Sequence, residues 1–526
     1  MRRSAQLAGA VLAVALAACR SSTPTTSGAL VVRITDGVNG PPLSGRVLLW
    51  RGTEPVHLGT RDYNDGKRQI AGLCKAGTAL GTWDGIVVTA GVGELPLDGD
   101  GKKDCAIAPG RYRVSAWRGF EHERWEGEIE IAATGRTELT IPLVRAWRAD
   151  GAVAADLHVH AATSNDSGLP DAIRLRTEAA AGIDVVALTN HDVNDDGAGA
   201  IHAAGLDGAI ATIAGNEFGN DRVHLGMYPV GVARDQERGG SPSFEAIKSW
   251  SVAQMMDAAR AAPGRPIVQV NHPRFRFYAL YDGTGWNGTA WPPPFPLGFD
   301  AVEVLNGHTS FNAPGDRRID DSVRDFYTLI AHGALVTAVG NSDTHHLNGV
   351  RDGLARSYVF MADRRLAPFD VTGFVGAIRG RRAVATTCPW LAVRATAGGA
   401  SAGPGQALTA KGGAVTLEVT IAHAAWCGVD AARIRVGGTI ARTIPITAQR
   451  ETTISVPLEV GAADTWIGVD AGGEGTIPVE MTGTYQQEKG RPGVTPFAIA
   501  NPVLIDADGD GRVTFGAADV AVDAAP

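Results

Sequence analysis

The spacing of hydrophobic residues divides the chain into three parts. Residues 29–148 alternate apolar and polar positions between turns, as in LVVRITDG, GRYRVSAW and GEIEIAA. A period of two predicts strands with one buried face, and many short strands separated by turns predict a β-sandwich. The same alternation returns in residues 389–526, in AVTLEVTIAHA and TTISVPLEV, and predicts a second β-sandwich.

The central part, residues 149–388, has a different pattern. AADLHVH, DVVALTNHD, PIVQVNHPR and AVEVLNGH are typical of strands, whereas PDAIRLRTEAAAGI and DSVRDFYTLIAHGA have the spacing of amphipathic helices. Strands that alternate with helices predict a mostly parallel sheet or barrel. The sequence therefore predicts a multidomain protein in which an α/β domain is flanked by two all-β domains.

Residues 1–19 have the pattern of an export signal. Two arginines precede an apolar segment, Leu7–Ala18, that is too short to span a bilayer comfortably. The segment ends in LAAC, which resembles a bacterial lipobox, and this resemblance implies cleavage before Cys19 and lipidation of its thiol. An ordinary signal peptide with an incidental cysteine is the alternative. Residues 20–28 form a tether, and we expect an exported protein anchored to a bacterial membrane, the outer membrane if the host has one.

Composition and charge fit a globular, multidomain protein. The 526 residues are 44% hydrophobic and 20% charged, with a net charge of -8. A chain of this length divides into several domains. The mild negative charge argues against a nucleic-acid partner, which would require a basic surface. No protein partner is inferred.

Four cysteines follow Cys19, and an exported protein lies in an oxidising compartment. The economical pairing joins Cys74 to Cys105 and Cys388 to Cys427, because each bond then closes a loop within one flank. A zinc cluster is the less favoured alternative, since no CxxC spacing occurs.

Histidines gather in the central domain, where ten of the 13 lie between His158 and His346. Several of them, with nearby carboxylates, follow predicted strands, where a β/α barrel carries its chemistry. Nitrogen and oxygen donors without thiolate suit Zn, Mn or Fe. The donors exceed the needs of one ion, so we expect two or three divalent ions that share a bridging carboxylate. The candidates are His158, His160, Asp166, His191, Glu217, His224, His272, Asp343 and His345.

The motifs DLHVH, TNHD, GNE, NHPR and GNSDTH, in this order, resemble the PHP (polymerase and histidinol phosphatase) superfamily of metallohydrolases. The resemblance implies a distorted (β/α)7 barrel with two or three metal ions. HVHAATSNDS, HLGMYPV, EVLNG and NPVLIDADGDG resemble the carbaryl-hydrolase-type branch, which includes an esterase that acts on aryl carbamates. PPLSGRVLLW and PGRYRVSAWRG resemble prealbumin-like modules, which implies that fold for the N-terminal domain.

The superfamily resemblance also implies how the ligands are shared. One ion would be held by His158, His160, Glu217 and Asp343. Glu217 would bridge to a second ion held by His224 and His272, and the third ion would be held by Asp166, His191 and His345. Asn190 stands where many relatives have aspartate, which would weaken an anchor at that position.

These observations predict a metal-dependent hydrolase acting on a small-molecule ester. A metal-bridged hydroxide would attack the substrate, so no serine or cysteine nucleophile is needed. Phosphoesters and carboxyl or carbamate esters remain equal alternatives as substrates. Arg274, His308 and Arg356 are candidate substrate contacts. The rival hypothesis is a non-catalytic binding lipoprotein, stabilised by metal, whose β-sandwiches are adhesion or glycan-binding modules.

Calcium is a further candidate cofactor. Asp506, Asp508 and Asp510 resemble the first half of an EF-hand loop, but Ala517 occupies the twelfth position, where glutamate is needed. A short Asp-rich turn that binds calcium weakly, or that only terminates the domain, is the expectation.

Overall fold

The computed structural model describes residues 28–58, 74–76, 79–82, 85–96, 107–275, 278–289, 298–313, 316–347, 349–447 and 450–522. The predicted signal sequence with Cys19, and most of the tether, lie outside the described residues. The same holds for Cys105 and for the side chain of Cys74, so the predicted bond between them stays a prediction. No helix in the described ranges is long and apolar enough to cross a membrane.

The N-terminal region folds into two sheets. The described strands are β1 (Ala29–Asp36), β2 (Gly45–Arg51), β3 (Glu54–Pro55), β4 (Cys74–Ala76), β5 (Ala79–Thr82), β6 (Gly85–Val88), β7 (Val92–Pro96), β8 (Gly110–Trp117), β9 (Trp125–Ile131) and β10 (Arg136–Leu143). One sheet has the order β10-β1-β7 and the other β4-β5-β6-β2-β8-β9, with β3 beside β2. Their alternating apolar residues, among them Leu30, Val32, Val47 and Val114, form one shared core.

The central region alternates strands with helices, as its pattern predicts. It comprises β11 (Ala152–Val159), α1 (Asp171–Ala180), β12 (Val185–Leu188), α2 (Ala200–Ala204), β13 (Ala211–Ala214), β14 (Asn216–Asn220), β15 (Val223–Tyr228), a 3-10 turn (Glu237–Gly240), α3 (Phe244–Ile247), α4 (Val252–Ala261), β16 (Ile267–Val270), α5 (Leu280–Thr284), β17 (Ala301–Asn306), α6 (Arg318–Ala331), β18 (Thr337–Asn341), β19 (Arg356–Phe360), α7 (Val371–Arg379) and β20 (Ala383–Thr386).

The strands of this region form a mixed α/β arrangement, and the described residues do not close into a (β/α)7 barrel. β13-β12-β11-β19-β20 belong to one sheet and β14-β15-β16-β17-β18 to another. Isolated bridges, among them Val159 to Thr344 and His191 to Glu217, join the two sheets. β19 pairs antiparallel with the first half of β11, from Ala152 to Ala155.

The C-terminal region contains β21 (Trp390–Ala397), β22 (Ala400–Ala402), β23 (Ala407–Thr409), β24 (Ala414–Ala422), β25 (Ala431–Val436), β26 (Thr439–Pro445), β27 (Glu451–Glu459), β28 (Thr465–Gly472), α8 (Val479–Thr482), α9 (Tyr485–Glu488), β29 (Phe497–Asp506), β30 (Arg512–Phe515) and β31 (Ala518–Ala521). The sheet β22-β21-β24-β27 shares a core with β25, β28 and β29. β29 also pairs with β20, so the second sheet of this sandwich continues the central sheet.

A disulfide joins Cys388 to Cys427, which confirms the pairing predicted for this flank. Both residues are fully buried, and 39 residues separate them. Closing a loop of this length restricts the unfolded chain and contributes about 4 kcal/mol in the chain-entropy model. We expect the double variant Cys388→Ser/Cys427→Ser to lose about that much free energy of unfolding, measured by urea titration. An unchanged midpoint and slope of unfolding would contradict this.

The Asp-rich turn after β29 uses its carboxylates within the turn. Asp506 accepts hydrogen bonds from the backbone of Gly509 and Gly511, at 2.7 and 3.1 Å. Asp508 accepts from the Asp510 amide, and Asp510 from the Arg512 amide. These contacts give the aspartates a role in shaping the turn that requires no calcium.

Candidate metal centre

The ends of the central strands bring the nine predicted ligands to one place. His158 lies at the end of β11, with His160 just beyond it, and His191 follows β12. Glu217 and His224 face each other from the antiparallel pair β14 and β15. The other residues follow strands or lie on the loop after β11: Asp166, His272, Asp343 and His345. His158, His160 and Glu217 are almost entirely buried.

Glu217 lies at the middle of this cluster. Its Oε1 atom is 3.1 Å from His158 Nε2, 3.0 Å from His224 Nδ1 and 3.2 Å from His272 Nε2. Its Oε2 atom is 3.3 Å from His160 Nε2 and 3.2 Å from His191 Nε2. The two oxygens of one carboxylate thus face two different groups of imidazoles, which is the geometry that a bridging ligand needs.

Asp343 completes the first predicted ligand group. Its Oδ1 atom lies 3.2 Å from His158 Nε2 and 3.3 Å from His160 Nε2. His158 and His160 are two residues apart on an extended segment, and residues at this spacing point to the same face. This is why both imidazoles reach Glu217 and Asp343 together.

The third predicted ligand group also assembles, at the edge of the cluster. Asp166 Oδ2 is 3.0 Å from both His191 Nε2 and His345 Nε2. The rings of His160 and His345 stack with their centroids 4.0 Å apart. Ser164 Oγ donates a hydrogen bond to Asp166 Oδ1 at 2.7 Å and fixes the carboxylate.

The donor set fits divalent metal ions. Several groups of three or four donors have their ligand atoms within 4.8 Å of one another. His160 Nε2, which faces Glu217 and Asp343, is buried without a hydrogen-bond partner in the described chain, and a buried nitrogen in that position calls for a ligand. The groups overlap, since His191 clusters with Glu217 and His224 as well as with Asp166. The division of the ligands among three particular ions therefore stays a prediction.

The electrostatics of the cluster keep its carboxylates ionised but divide its imidazoles. Burial opposes protonation of His158 and His191, but Asp343 and Glu217 outweigh it and raise the pKa of His158 well above its ordinary value and that of His191 to about 9. Burial lowers the pKa of His160 to about 3 and that of His224 to about 4. Burial alone would raise the pKa of Glu217, but the surrounding histidines, His158 first, hold it well below its ordinary value. The pKa of Asp343 is lowered in the same way. Ionised carboxylates and neutral imidazoles are the forms that ligate a metal ion.

Glu303 on β17 is a positioning residue that the sequence did not reveal. Its Oε1 atom is 2.8 Å from His158 Nδ1, and its Oε2 atom accepts a hydrogen bond from the His272 amide at 2.7 Å. A carboxylate on one ring nitrogen directs the other nitrogen toward the metal. The available signal was a glutamate inside the otherwise apolar strand AVEVLN, whose burial requires a partner.

Asparagines hold the strand ends around the ligands. Asn271 Nδ2 donates to Glu217 Oε1 at 3.0 Å, and Asn341 Nδ2 donates to Glu303 Oε1 at 2.9 Å. Asn190 Oδ1 accepts from the Ala161 amide at 2.7 Å. The amide at position 190 therefore anchors the loop after β11.

Two of the predicted ligands have left-handed backbone conformations. The φ angle is 29° at His272 and 56° at Asp343. Such conformations cost about 1–3 kcal/mol for residues other than glycine and persist at functional sites where the surroundings enforce them. Here they turn both side chains into the cluster, His272 toward Glu217 and Asp343 toward His158 and His160.

A cavity of about 630 Å³ opens beside the ligands. It is lined by donor residues of the cluster and by three aromatic side chains, Phe275, Tyr278 and Tyr485. Tyr485 lies on α9, so the C-terminal region contributes to this cavity. His308 also lines it, and its Nε2 atom donates to the Asp343 carbonyl at 2.9 Å.

The other two predicted substrate contacts, both arginines, do not reach this cavity. Arg274 is held by Asp325 through two hydrogen bonds of 2.6 and 2.9 Å, so its guanidinium is already neutralised. Arg356 lies under the ring of Phe120, at 4.0 Å from its centroid, on another side of the sheet. His308 is the one of the three candidates that the structure places at the metal centre.

No family model matches the chain, and the search of curated proteins gives no significant match. Among solved structures, one described as an amidohydrolase from Chromobacterium violaceum with bound SO4 and no metal is similar to part of it. The two are 22% identical, the TM-score is 0.20, and the match covers 37% of this chain and 88% of that chain. A TM-score this low does not establish a shared fold, and nothing about the function is inferred from it.

Proposed function

We propose that this protein is a metal-dependent hydrolase that cleaves an ester bond in a small molecule. The observation that carries the proposal is the position of Glu217, whose two oxygens face separate groups of imidazoles beside an open cavity. A purely structural ion would need neither shared ligands nor an adjoining cavity. The motifs that resemble the PHP superfamily, and its carbaryl-hydrolase-type branch, support the same class of chemistry.

The chain's own residues would prepare the site in defined ways. Divalent ions bound there would supply Lewis acidity and a water of lowered pKa. Glu303 accepts the Nδ1 proton of His158 and leaves its Nε2 atom free to ligate. His308 donates its Nε2 proton to a backbone carbonyl, which fixes its ring in the cavity wall. We propose His308 as a substrate contact on this basis.

The lining of the cavity suits an ester with an apolar part. The donor residues would face the scissile group, and Phe275, Tyr278 and Tyr485 would contact the apolar remainder. Tyr278 stacks on His224 with ring centroids 4.6 Å apart, which places an aromatic surface directly beside the donors. Phosphoesters and carboxyl or carbamate esters both meet this description.

The test is hydrolysis of p-nitrophenyl phosphate and of naphthyl esters by the purified protein. We expect activity on at least one of the two classes, loss of activity after chelation, and recovery with Zn or Mn, because the ligands suit these ions. Activity that survives complete removal of metal would refute the proposal. Full metal content without activity on either class would favour the non-catalytic binding protein instead.

We further propose that the protein is exported and lipid-anchored through Cys19, as its N-terminal pattern predicts. Incorporation of labelled fatty acid into the wild-type protein, and its absence from Cys19→Ser, would support this. A wild-type protein that takes up no label would refute it.

A further inference from the structure

A second cavity, of about 220 Å³, lies at the end of β11 and β12 that is opposite the metal centre. Ala152, at the start of β11, and Asp184, just before β12, line it. Six residues of extended strand, at roughly 3.3 Å each, separate Ala152 from His158, a distance of roughly 20 Å. The cavity is therefore separate from the metal centre.

Charged side chains from the N-terminal and central regions surround this cavity. Five arginines line it against three carboxylates, Glu121, Asp150 and Asp184, and the arginines are Arg118, Arg145, Arg148, Arg356 and Arg364. Arg145 is already paired, at 2.5 Å from Glu121 and 2.8 Å from Asp36. Positive charge remains in excess among the lining residues.

Arg356 is the buried cation of this cavity. It is 2% exposed, and no carboxylate lies within 4.0 Å of it in the part of the chain that the structure describes. Its Nε atom donates to the Gly353 carbonyl, and its guanidinium packs on Phe120. The partly buried carboxylates Glu121 and Asp184 interact with Arg356 from beyond 4.0 Å, and an anion in the cavity would compensate this buried charge at closer range.

His122 gives independent evidence for a ligand. It is 1% exposed and lines the cavity, and neither of its ring nitrogens makes a hydrogen bond to any described residue. The charged group in contact with it is the carboxylate of Asp36, whose Oδ1 atom lies 3.4 Å from His122 Nε2. Buried polar atoms nearly always have partners, and a bound oxyanion would provide one here.

The mouth of the cavity carries two exposed arginines, Arg148 and Arg364. Within the described ranges, neither has a carboxylate within 4.0 Å. The planar guanidinium group binds phosphate through paired hydrogen bonds. Arg148 and Arg364 at the mouth, together with Arg356 in the interior, would therefore neutralise the negative charge of a bound ligand.

We infer that this cavity binds the phosphate group of a small ligand. Its volume admits a phosphate ion with a few waters, or a small phosphomonoester, since one water occupies roughly 30 Å³. Because Arg118 and His122 belong to the N-terminal region and Arg356 and Arg364 to the central region, binding would join the two regions.

The test is a calorimetric titration of the full protein with inorganic phosphate, and separately with methylphosphonate, at constant ionic strength. Methylphosphonate represents a phosphomonoester, because it has no ester bond that the protein could cleave. Tighter binding of inorganic phosphate would indicate free phosphate as the ligand, and tighter binding of methylphosphonate would indicate a phosphomonoester. We expect saturable binding, and we expect the affinity to fall at least tenfold in the double variant Arg148→Ala/Arg364→Ala. Both side chains are exposed, so the double variant should keep the fold intact. Arg365→Ala is the matched control, because Arg365 is 71% exposed, pairs with Asp363 and does not line the cavity.

The same titration in Glu217→Gln separates this cavity from the metal centre, where phosphate could also bind. In the Glu217→Gln protein, phosphate affinity should still depend on Arg148 and Arg364, whether or not hydrolytic activity is lost. Absence of saturable binding to the wild-type protein would overturn the inference. An equal loss of affinity in Arg365→Ala would overturn it too, because it would reveal only a general effect of surface charge.

Discussion

Glu217→Gln should lose hydrolytic activity by more than the roughly 10- to 100-fold that is typical of residues behind the ligands. The carboxylate contacts five histidines through its two oxygens, and the amide keeps the shape but removes the negative charge. Ions on both sides of residue 217 would therefore bind more weakly. The measurement is kcat/KM on the best substrate of the hydrolysis panel, with circular dichroism to verify folding.

Two variants calibrate this result. Glu488→Gln removes a carboxylate from the wall of the same cavity and should retain most of the activity. Asp166→Asn changes the edge of the cluster, where the carboxylate contacts His191 and His345, and should have a smaller effect than Glu217→Gln. Full activity in a folded Glu217→Gln protein would remove Glu217 from the site.

Asp352→Ala should lower the free energy of unfolding by about 3–5 kcal/mol, the usual cost of breaking a buried ion pair from one side. Asp352 is 3% exposed and pairs with Arg46 of β2 and, at 2.5 Å, with Arg174 of α1. Thr177 donates to it at 2.7 Å. The substitution would remove the carboxylate that two buried guanidinium groups share where the N-terminal and central regions meet.

Acid should weaken the same ion-pair network. Burial opposes ionisation of Asp352, but Arg174 and Arg46 outweigh it and lower the pKa of Asp352 below its ordinary value. Its contribution to stability is therefore present above the unfolded-state pKa of about 3.9 and is lost as the pH falls through the folded-state value. Chemical unfolding of wild-type and Asp352→Ala proteins between neutral and acidic pH measures the difference.

The control for Asp352 is Asp363→Ala. Asp363 pairs with Arg365 at the surface, where solvent and salt screen the interaction, so its loss should change the free energy of unfolding little. A loss of stability in Asp352→Ala no larger than that of Asp363→Ala would show that the buried network does not stabilise the fold.

The sequence predicted which donor residues lie together, because the positions of most of them follow from strand periodicity. Most of the candidate ligands end or follow an apolar strand, so the local pattern places them at strand ends, whereas Asp166 lies on the loop after β11 and His224 at the start of β15. The alternation of strands and helices in the central region was predictable for the same reason, but the expectation of a mostly parallel sheet was wrong, because four of its eight strand pairs in the described residues are antiparallel. Glu303 escaped notice because its local signal, a glutamate within an apolar strand, does not identify its partners, His158 and Asn341, which are distant in the chain.

The arrangement of the sheets could not be predicted from local patterns. The alternation of residues 389–526 predicted a sandwich, but the pairing of β29 with β20 depends on contacts between residues such as Ala385 and Ile499, more than a hundred positions apart. The position of Arg356 depends in the same way on Phe120 of the N-terminal region. Periodicity identifies a strand and its buried face, but it does not identify the neighbouring strand.

Elemental analysis of the purified wild-type protein tests the central claim most directly. The nine ligands, gathered around Glu217, predict two or three divalent ions per chain, with Zn, Mn or Fe as the metal. The measurement is metal per chain by mass spectrometry, after dialysis against metal-free buffer and again after supplementation with each metal. A protein that retains at least two ions per chain would agree with a shared carboxylate. A protein that binds none of these metals, even when they are supplied, would contradict the metal centre and the hydrolase proposed from it.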